Sequence, residues 1–293
     1  MGEPRHAIRE ESAARRERAA GAGLAGAAIA AIAAIAGPAL IVAPANRAAA
    51  KLNARVVGQV TFGARGPLAV PGNTAAQFNG QGGVTSPLNL AGAPGLTMEG
   101  WVNFSSSQNN VNGVDHYNTL FGRTYVADLF WRTGWQFPGS TSTSHPAYFA
   151  ELDLWTKPGG AYQVLSMGWF PPTAPVVGWH HLAVTFDGTS GVIYFDGKAV
   201  ASQAAPAPGP IATLRPGEVC IGWNGSGDPQ HGDFAEGQVA FYARALPAAR
   251  IAAHYAAGRS TASGLYEGTV LSDKPAAYYP LTDAPGSTMV ANL

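Results

Sequence analysis

Two carboxylates stand two residues apart in the run Glu151-Leu-Asp-Leu-Trp155. The run alternates polar and apolar residues, as a half-buried β-strand does, so Glu151 and Asp153 are predicted to share one face of a sheet. Two carboxylates that flank a glycosidic bond can hydrolyse it, one as nucleophile and the other as proton donor. Trp155 takes the next position on this face and supplies no proton.

A second polar stretch runs from Trp223 to Asp233 and is rich in Gly and in side-chain oxygens. Asn224, Asp228 and Asp233 offer the hard oxygen ligands that Ca²⁺ prefers. We therefore predict a candidate calcium site at Asp228 and Asp233 and no other cofactor. Solvated turn residues, which have the same composition, are the alternative interpretation.

Aromatic side chains are a third candidate for function. Several lie in or beside a Ser-, Asn- and Thr-rich insertion, residues 105–145, which is expected to form loops at the rim of a β-sandwich. Exposed tryptophans in such loops can stack on sugar rings. The candidate ligand-binding residues are Trp131, Trp135, Trp169, Trp223 and Asn224.

Three other residues are interpreted as structural. His180 and His181 are adjacent in a strand-like run, so their imidazoles are expected to point to opposite faces and to make a poor metal chelate. Cys220 is the only cysteine, which excludes an internal disulfide, and it lies in an apolar run typical of a buried strand.

The composition limits the classes of partner. The 293 residues contain 18 Lys plus Arg and 18 Asp plus Glu, so the formal net charge is zero. A nucleic-acid-binding domain usually has a basic excess, and none is present here. The 37 Gly and 22 Pro fall mostly between strand-like runs, as in an all-β sandwich with many turns.

The N-terminal part of the chain has a different composition. Residues 1–18 are dense in Arg and Glu, whereas residues 19–45 are Ala-rich, contain no charge and are predicted to form a hydrophobic helix. This helix could be a membrane anchor, with an Ala-x-Ala cleavage site ending at Ala45 as a variant. It could also be an assembly helix of a filament. A solvent-exposed helix within a large complex is the third interpretation.

Strand-like runs and turns alternate from Val56 onward, and several of them resemble one family. The hairpin Gly178-Trp-His-His-Leu-Ala-Val-Thr-Phe-Asp187-Gly, the strand Gly95-Leu-Thr-Met-Glu-Gly-Trp-Val-Asn-Phe104 and the closing Arg244-Ala-Leu246 before a short helix carry the likeness. They resemble laminin-G-like domains of the concanavalin A-like lectin/glucanase and pentraxin-like superfamily. The resemblance implies an all-β, antiparallel jelly-roll β-sandwich over residues 46–263, preceded by the Ala-rich hydrophobic helix.

The resemblance also bears on catalysis. Laminarinase-type glucanases of this superfamily carry Glu-x-Asp-x-Glu on their catalytic strand, and Glu151 and Asp153 match its first two acidic positions. Trp155 replaces the second Glu, which is the acid/base, so a glycoside hydrolase is disfavoured and the chain is expected not to be an enzyme.

The C-terminal segment, residues 264–293, resembles the lead-in that normally precedes such a domain. Two explanations fit. A further domain of a tandem array could begin here, or the domain could be circularly permuted so that this segment supplies its missing first strand. The strand could then insert in cis or into a neighbouring subunit, and insertion in trans would build a fibre.

We therefore expect a non-catalytic binding or adhesion module for a glycan, matrix or surface polymer. It would be extracellular or on the cell surface, tethered to a membrane by its N-terminal helix, and would bind no nucleic acid. The alternative is a structural subunit of a surface filament or virion appendage. Such a subunit would self-associate through residues 19–45 and 265–293.

Overall fold

The computed structural model describes most of the chain beyond residue 51. The described residues are 52–70, 72–104, 116–123, 126–133, 148–157, 161–172, 176–212, 219–223, 225 and 232–293. The predicted charged segment 1–18 and hydrophobic helix 19–45 lie outside them. Among the described residues, no helix has the length and apolar character needed to cross a membrane.

Fourteen strands and two helices follow one another along this part of the chain. The strands are β1 (Ala54–Arg65), β2 (Thr74–Thr85), β3 (Leu96–Phe104), β4 (His116–Arg123), β5 (Ala127–Thr133), β6 (Tyr148–Thr156), β7 (Gln163–Trp169), β8 (Gly178–Phe186), β9 (Ser190–Phe195), β10 (Lys198–Ala204), β11 (Cys220–Ile221), β12 (Ala235–Tyr242), β13 (Ala277–Tyr279) and β14 (Met289–Val290). The helices are α1 (Ala248–Gly258) and α2 (Leu265–Ser272).

All the strand pairs are antiparallel, and the hydrogen-bonded order is β10-β9-β8-β3-β12-β2-β11-β4-β5-β6-β7. We call β10-β9-β8-β3-β12 the first sheet and β4-β5-β6-β7 the second sheet, and the two ends of the path face each other across a core. A Cβ atom on Gly191 of β9 would lie 2.7 Å from the Leu165 side chain of β7 and 3.4 Å from that of Leu152 in β6. The predicted antiparallel jelly-roll sandwich is therefore confirmed.

The hairpin from β8 to β10 follows directly from its turn residues. The Asp187 carboxylate accepts hydrogen bonds from the backbone N–H groups of Thr189 and Ser190, both at 2.8 Å, and closes the first turn. Asp196 and Gly197 form the second turn with φ values of 49° and 76°. Asp-Gly suits such left-handed conformations, so the sequence specifies this turn locally.

Strand β5 was not predicted from the sequence. β5 lies within the insertion expected to form rim loops, yet it pairs with β4 on one side and β6 on the other. Its side chains Leu129 and Trp131 are in the core between the sheets. Part of the insertion 105–145, which was expected to form rim loops, is therefore a strand inside the second sheet.

Helix α1 confirms the predicted short helix and, with α2, covers the outer face of the first sheet. A second apolar cluster lies there, separate from the core between the sheets, with Trp101 at its centre. A Cβ atom on Gly258 would lie 2.4 Å from the Trp101 ring, so only glycine lets α1 end against this side chain. Both faces of β3 are consequently buried.

The C-terminal segment packs within the same chain. β13 pairs with β12 through Val239 and Tyr279, and β14 pairs with the start of β1 through Ala54 and Val290. The Tyr278 and Tyr279 side chains are fully buried. The arrangement in this chain is insertion in cis, and the first part of the segment is helical rather than a strand.

Candidate functional site

A row of aromatic side chains runs from the core to the surface at one end of the sandwich. Trp131 and Phe104 are each 2% exposed, and their ring centroids are 4.2 Å apart. His180 is the next ring, 6.3 Å from Phe104 and stacked at 4.7 Å on Phe195. Trp169 ends the row, 4.9 Å from Phe195. We call these five residues the aromatic row.

The strands of the hairpin and of β7 position the outer part of this row. Trp169 is the last residue of β7, and its ring packs against the edge of the core while remaining half-buried. Phe195 is the last residue of β9, directly before the Asp196-Gly197 turn. The beginning of β8 places His180 beside them. Trp169, Phe195 and His180 thus form a partly exposed aromatic surface, which we call the shelf. The buried rings of Phe104 and Trp131 lie on its inner side.

A polar pair borders the shelf. Nδ1 of His180 lies 2.9 Å from a carboxylate oxygen of Asp196, and the two side chains are 24% and 27% exposed. The other Asp196 oxygen accepts a hydrogen bond of 3.0 Å from the backbone N–H of His181. Nε2 of His180 lies 3.2 Å from the carbonyl oxygen of Val177. Hydrogen bonds thus fix the side chains of His180 and Asp196. The partly exposed Asp196 carboxylate is a hydrogen-bond acceptor beside the rings of Phe195 and Trp169.

The sequence-predicted ligand residues fall in different environments. Trp131 is a core residue, which contradicts the prediction that it is exposed to ligand; pairing of β5 with its neighbours places it inside the sandwich. Trp169 lies at the surface end of the aromatic row. Trp223 is half-buried two residues after the end of β11, and its ring packs over Gly83. Trp135 and Asn224 lie outside the described residues.

The residues that were interpreted as structural differ in burial. Cys220 is 0% exposed, which confirms its interpretation as a buried strand residue, and Trp101 is equally buried. Burial raises the pKa of the Cys220 thiol to about 11, so the group is a thiol and not a thiolate at neutral pH. His181 is fully buried whereas His180 is half-buried, so the pair points to opposite faces and makes no chelate.

A buried polar network, which sequence reasoning missed, lies between the first sheet and the helices. Glu99 accepts hydrogen bonds of 2.8 Å from the Tyr242 hydroxyl and from Nδ1 of His254. His181 Nε2 lies 3.3 Å from the second Glu99 oxygen, and His254 Nε2 lies 2.9 Å from Asp273. The Glu in the Thr97-x-Glu99-x-Trp101 strand pattern was its only local signal.

The protonation of the network is set by competing effects. Burial alone raises the pKa of Glu99, but the imidazoles of His181 and His254 beside it lower that pKa to about 2. Burial lowers the pKa of His254, but the carboxylates of Glu99 and Asp273 raise it above its ordinary value. Glu99 is therefore an anion held by cationic or hydrogen-bonding partners, which is a structural arrangement.

Comparison with known proteins decides the family. A laminin G family model, described as the Concanavalin A-like lectin/glucanases superfamily, matches residues 78–252. The chain belongs to this superfamily. A search of curated proteins found no match.

Several solved structures are similar to this chain at low sequence identity. The enzymatically active domain of bacteriophage CBA120 tailspike protein 2 is 11% identical with a TM-score of 0.52, over 80% of this chain and 34% of that chain. Domain 4 of AbnA, an extracellular arabinanase from Geobacillus stearothermophilus solved with arabinotriose, is 19% identical with a TM-score of 0.43, over 68% of this chain and 86% of that chain. The binding domain of botulinum neurotoxin DC, solved with SialylT, is 12% identical with a TM-score of 0.45, over 72% and 47%.

The strand that corresponds to the glucanase motif has the predicted alternation. In β6 the residues Ala150, Leu152 and Leu154 are in the core, whereas Glu151, Asp153 and Trp155 are half-buried on the other face. Glu151 accepts a hydrogen bond of 3.3 Å from the Ser166 hydroxyl. Trp155 stands on this face at the position where a glucanase of the superfamily carries its proton donor.

The described residues do not assemble the predicted calcium site. Asp233 is exposed, and Asp228 lies outside the described residues. In the part of the chain that the structure describes, no three His, Cys, Asp or Glu side chains converge as a metal site requires. Calcium binding at Asp228 and Asp233 therefore stays a prediction.

Proposed function

We propose that this chain is a non-catalytic module that binds a glycan through the outer end of the aromatic row. The half-buried Trp169 beside Phe195, bordered by the His180–Asp196 pair, is the observation that carries the proposal. A sugar ring presents C–H groups on one face and hydroxyls around its edge, so it requires an aromatic surface with a polar group beside it. Membership in a superfamily that includes lectins supports the same ligand class.

The buried inner rings give the proposed site its rigidity. Trp131 and Phe104 cannot touch a ligand, but Trp131 packs on Phe104, and Phe104 lies beside the His180 ring that stacks on Phe195. A rigid aromatic surface loses little side-chain entropy when it binds, and more of the contact energy then appears as affinity. The core tryptophan predicted as a ligand contact is thus reassigned as a support.

The non-catalytic part of the proposal follows from β6. Glu151 and Asp153 share a face with Trp155, and a retaining glycosidase without its acid/base loses the protonation of its leaving group. We expect no release of reducing ends when the protein is incubated with the glycans that it binds.

We also propose that the protein is extracellular or on the cell surface and that residues 19–45 tether it to a membrane. Residues 19–45 lie outside the described residues, so the tether remains a proposal from the sequence. The filament alternative assembles through residues 19–45 and through the C-terminal strand, and the second of these contacts needs a strand that is free to pair in trans. The cis pairing of β13 and β14 supports the binding module over that alternative.

The test is a glycan array with the full chain, followed by binding titrations of the best ligand. Trp169→Ala should weaken binding by about tenfold or more, equivalent to ~1.4 kcal/mol. Trp169→Phe should retain most of the affinity. Tyr162→Ala is the matched control, because Tyr162 is an aromatic side chain 37% exposed just before β7. Equal losses in Trp169→Ala and Tyr162→Ala, or none in either, would exclude the aromatic row as the site.

A further inference from the structure

A cavity of about 210 Å³ opens at a distance along the sheet from the aromatic row, where β12, the α1–α2 connection and the segment after β13 meet. Gln238 of β12 lines it together with Asn73, and Ser260 and Glu267 line it from the helical side. At ~30 Å³ for each water molecule, the cavity holds about seven waters, which is room for one small ligand.

The backbone beside this cavity is strained at two positions. Gln238 and Leu281 both have φ of 61°, a left-handed conformation that residues other than glycine rarely adopt. The register of β12 against β3 shifts between Gly237 and Ala240, so Gln238 and Val239 lie within a β-bulge. The Gln238 N–H donates a hydrogen bond of 3.1 Å to the carbonyl of Pro280. Bulges and strained residues are frequent beside binding sites, where they direct a side chain.

The bulge directs the Gln238 amide toward the cavity. This side chain is only 3% exposed, and its oxygen accepts a hydrogen bond from the Tyr278 hydroxyl. Burial raises the pKa of Tyr278, so the hydroxyl keeps its proton and acts as the donor. The Gln238 oxygen is thereby occupied, which leaves its NH₂ group as the donor that this side chain can offer to the cavity it lines.

Two other polar side chains of the cavity also have an occupied oxygen and a hydrogen that is available to donate. The Asn73 oxygen accepts the Leu68 N–H at 2.9 Å, which leaves the amide NH₂ to donate. The Ser260 hydroxyl oxygen accepts the Ala262 N–H at 3.1 Å, which leaves its proton to donate. Among the described side chains that line the cavity, only Glu267 is charged, and it is an acceptor. The cavity therefore presents several donors together with the Glu267 carboxylate, whose negative charge disfavours an anionic ligand.

We propose that this cavity binds a single neutral sugar residue, with the Gln238 NH₂ group as its central donor. Hydroxyl groups can accept from Gln238 and Asn73 while donating to Glu267, whereas an apolar ligand would leave all three without partners. The proposal rests on the glycan-binding function proposed above and adds a second, smaller site to it.

The experiment uses the full chain and titration calorimetry with a panel of neutral monosaccharides, namely arabinose, galactose, glucose and mannose, and with the anionic N-acetylneuraminic acid as a comparison. Gln238→Gly removes the amide but suits the left-handed backbone, so the fold is retained. Ser263→Trp, at an exposed residue of the cavity wall, fills the space and leaves the Gln238–Tyr278 hydrogen bond intact. Trp169→Ala is the control for the aromatic row.

We expect at least one neutral sugar to bind with millimolar affinity. Gln238→Gly and Ser263→Trp should each weaken it tenfold or more, with Trp169→Ala unchanged. Gln238→Gly relieves the backbone strain but leaves the buried Tyr278 hydroxyl without its acceptor, so thermal unfolding is used only to verify that the variant is folded at the temperature of the titration. If the wild type binds array glycans but no neutral monosaccharide, or if Gln238→Gly binds normally, the cavity proposal is overturned while the aromatic row stands. If no glycan binds at all, both proposals are overturned.

Discussion

Glu236 lies on the inner face of β12, opposite Ala76 of β2 and Val102 of β3. It is 0% exposed, and neither carboxyl oxygen has a hydrogen-bond partner in the described part of the chain. Burial raises its pKa well above the ordinary value of 4.5. The side chain is therefore expected to be a neutral acid at moderate pH, in contrast to Glu99, which is ionised by its histidine partners.

This environment predicts that Glu236 destabilises the fold increasingly as the pH rises. Its folded-state pKa lies above its unfolded-state pKa, so its contribution is most favourable below pH 4.5 and decreases as the pH rises toward the folded value. Glu236→Met, which keeps an unbranched shape, should increase the free energy of unfolding near pH 7 by about 1–3 kcal/mol. Chemical denaturation of both proteins from pH 4 to pH 8 measures the difference.

Glu236→Gln is the matched control, because it keeps the polar shape but does not titrate. Its stability should lack the decrease with pH that Glu236 causes in the wild type. A gain for Glu236→Met that stays the same at every pH would show that the carboxyl group is not the source of the effect.

Helices α1 and α2 are attached to the first sheet by both apolar and polar contacts. The apolar cluster around Trp101 covers the area, while the Glu99–His254–Asp273 chain connects β3, α1 and the end of α2 in one hydrogen-bonded line. Arg250 adds a contact of 2.7 Å to Asp273 from the first turn of α1. A buried charge of this kind is costly once a partner is removed, because the remaining charge is left in a region without water.

Removal of His254 should therefore loosen the helices from the sheet. His254→Ala is expected to lower the free energy of unfolding by about 3–5 kcal/mol, with the largest loss between about pH 4.5 and pH 6.5. The lowered Glu99 pKa gives stability that is lost as the pH falls from 4.5 toward about 2. The raised His254 pKa gives stability that is complete below 6.5 and is lost as the pH rises through the folded value.

Tyr242→Phe provides the control at this scale. It removes one hydrogen bond to Glu99 but no group that titrates in this range, so its cost should be about 1–2 kcal/mol and nearly independent of pH between 5 and 8. A His254→Ala cost equally independent of pH would argue against the ionised network.

At the scale of the whole molecule, the C-terminal segment closes the sandwich. Tyr279 of β13 donates to the carbonyl of Leu52 at 2.7 Å and shares a hydrogen bond of 2.6 Å with the Ser86 hydroxyl, so three distant parts of the chain meet at one phenol. β14 covers the start of β1. The end of the chain is thus part of the core and not an appended tail.

Tyr279→Phe should consequently lower the free energy of unfolding by about 2 kcal/mol, through the loss of two buried hydrogen bonds. Tyr162→Phe, at an exposed site, should change it little. Because the segment packs in cis, the unfolding temperature of the wild type should not depend on protein concentration. A marked increase with concentration would indicate exchange of β13 and β14 between subunits.

Short-range patterns in the sequence determined a large part of this architecture. The Asp196-Gly197 turn, the alternation in β6 and the helix after Leu246 all depend on neighbours within a few residues. Such features are encoded by turn preference and by the period of two in a strand, and both can be recognised without knowledge of the fold. The resemblance to the superfamily rests on the same local patterns.

Long-range contacts were decided only by the tertiary structure. Trp131 and Trp169 were both predicted to contact a ligand, but β5 acquires neighbours on both sides whereas Trp169 ends a strand at the surface. Glu99 and His254 are 155 positions apart, and Gln238 faces a cavity because the segment after Tyr279 folds back beside it. A local pattern shows that a strand has two faces. Which layer covers each face, and whether a polar side chain there finds a partner, depends on residues far away along the chain.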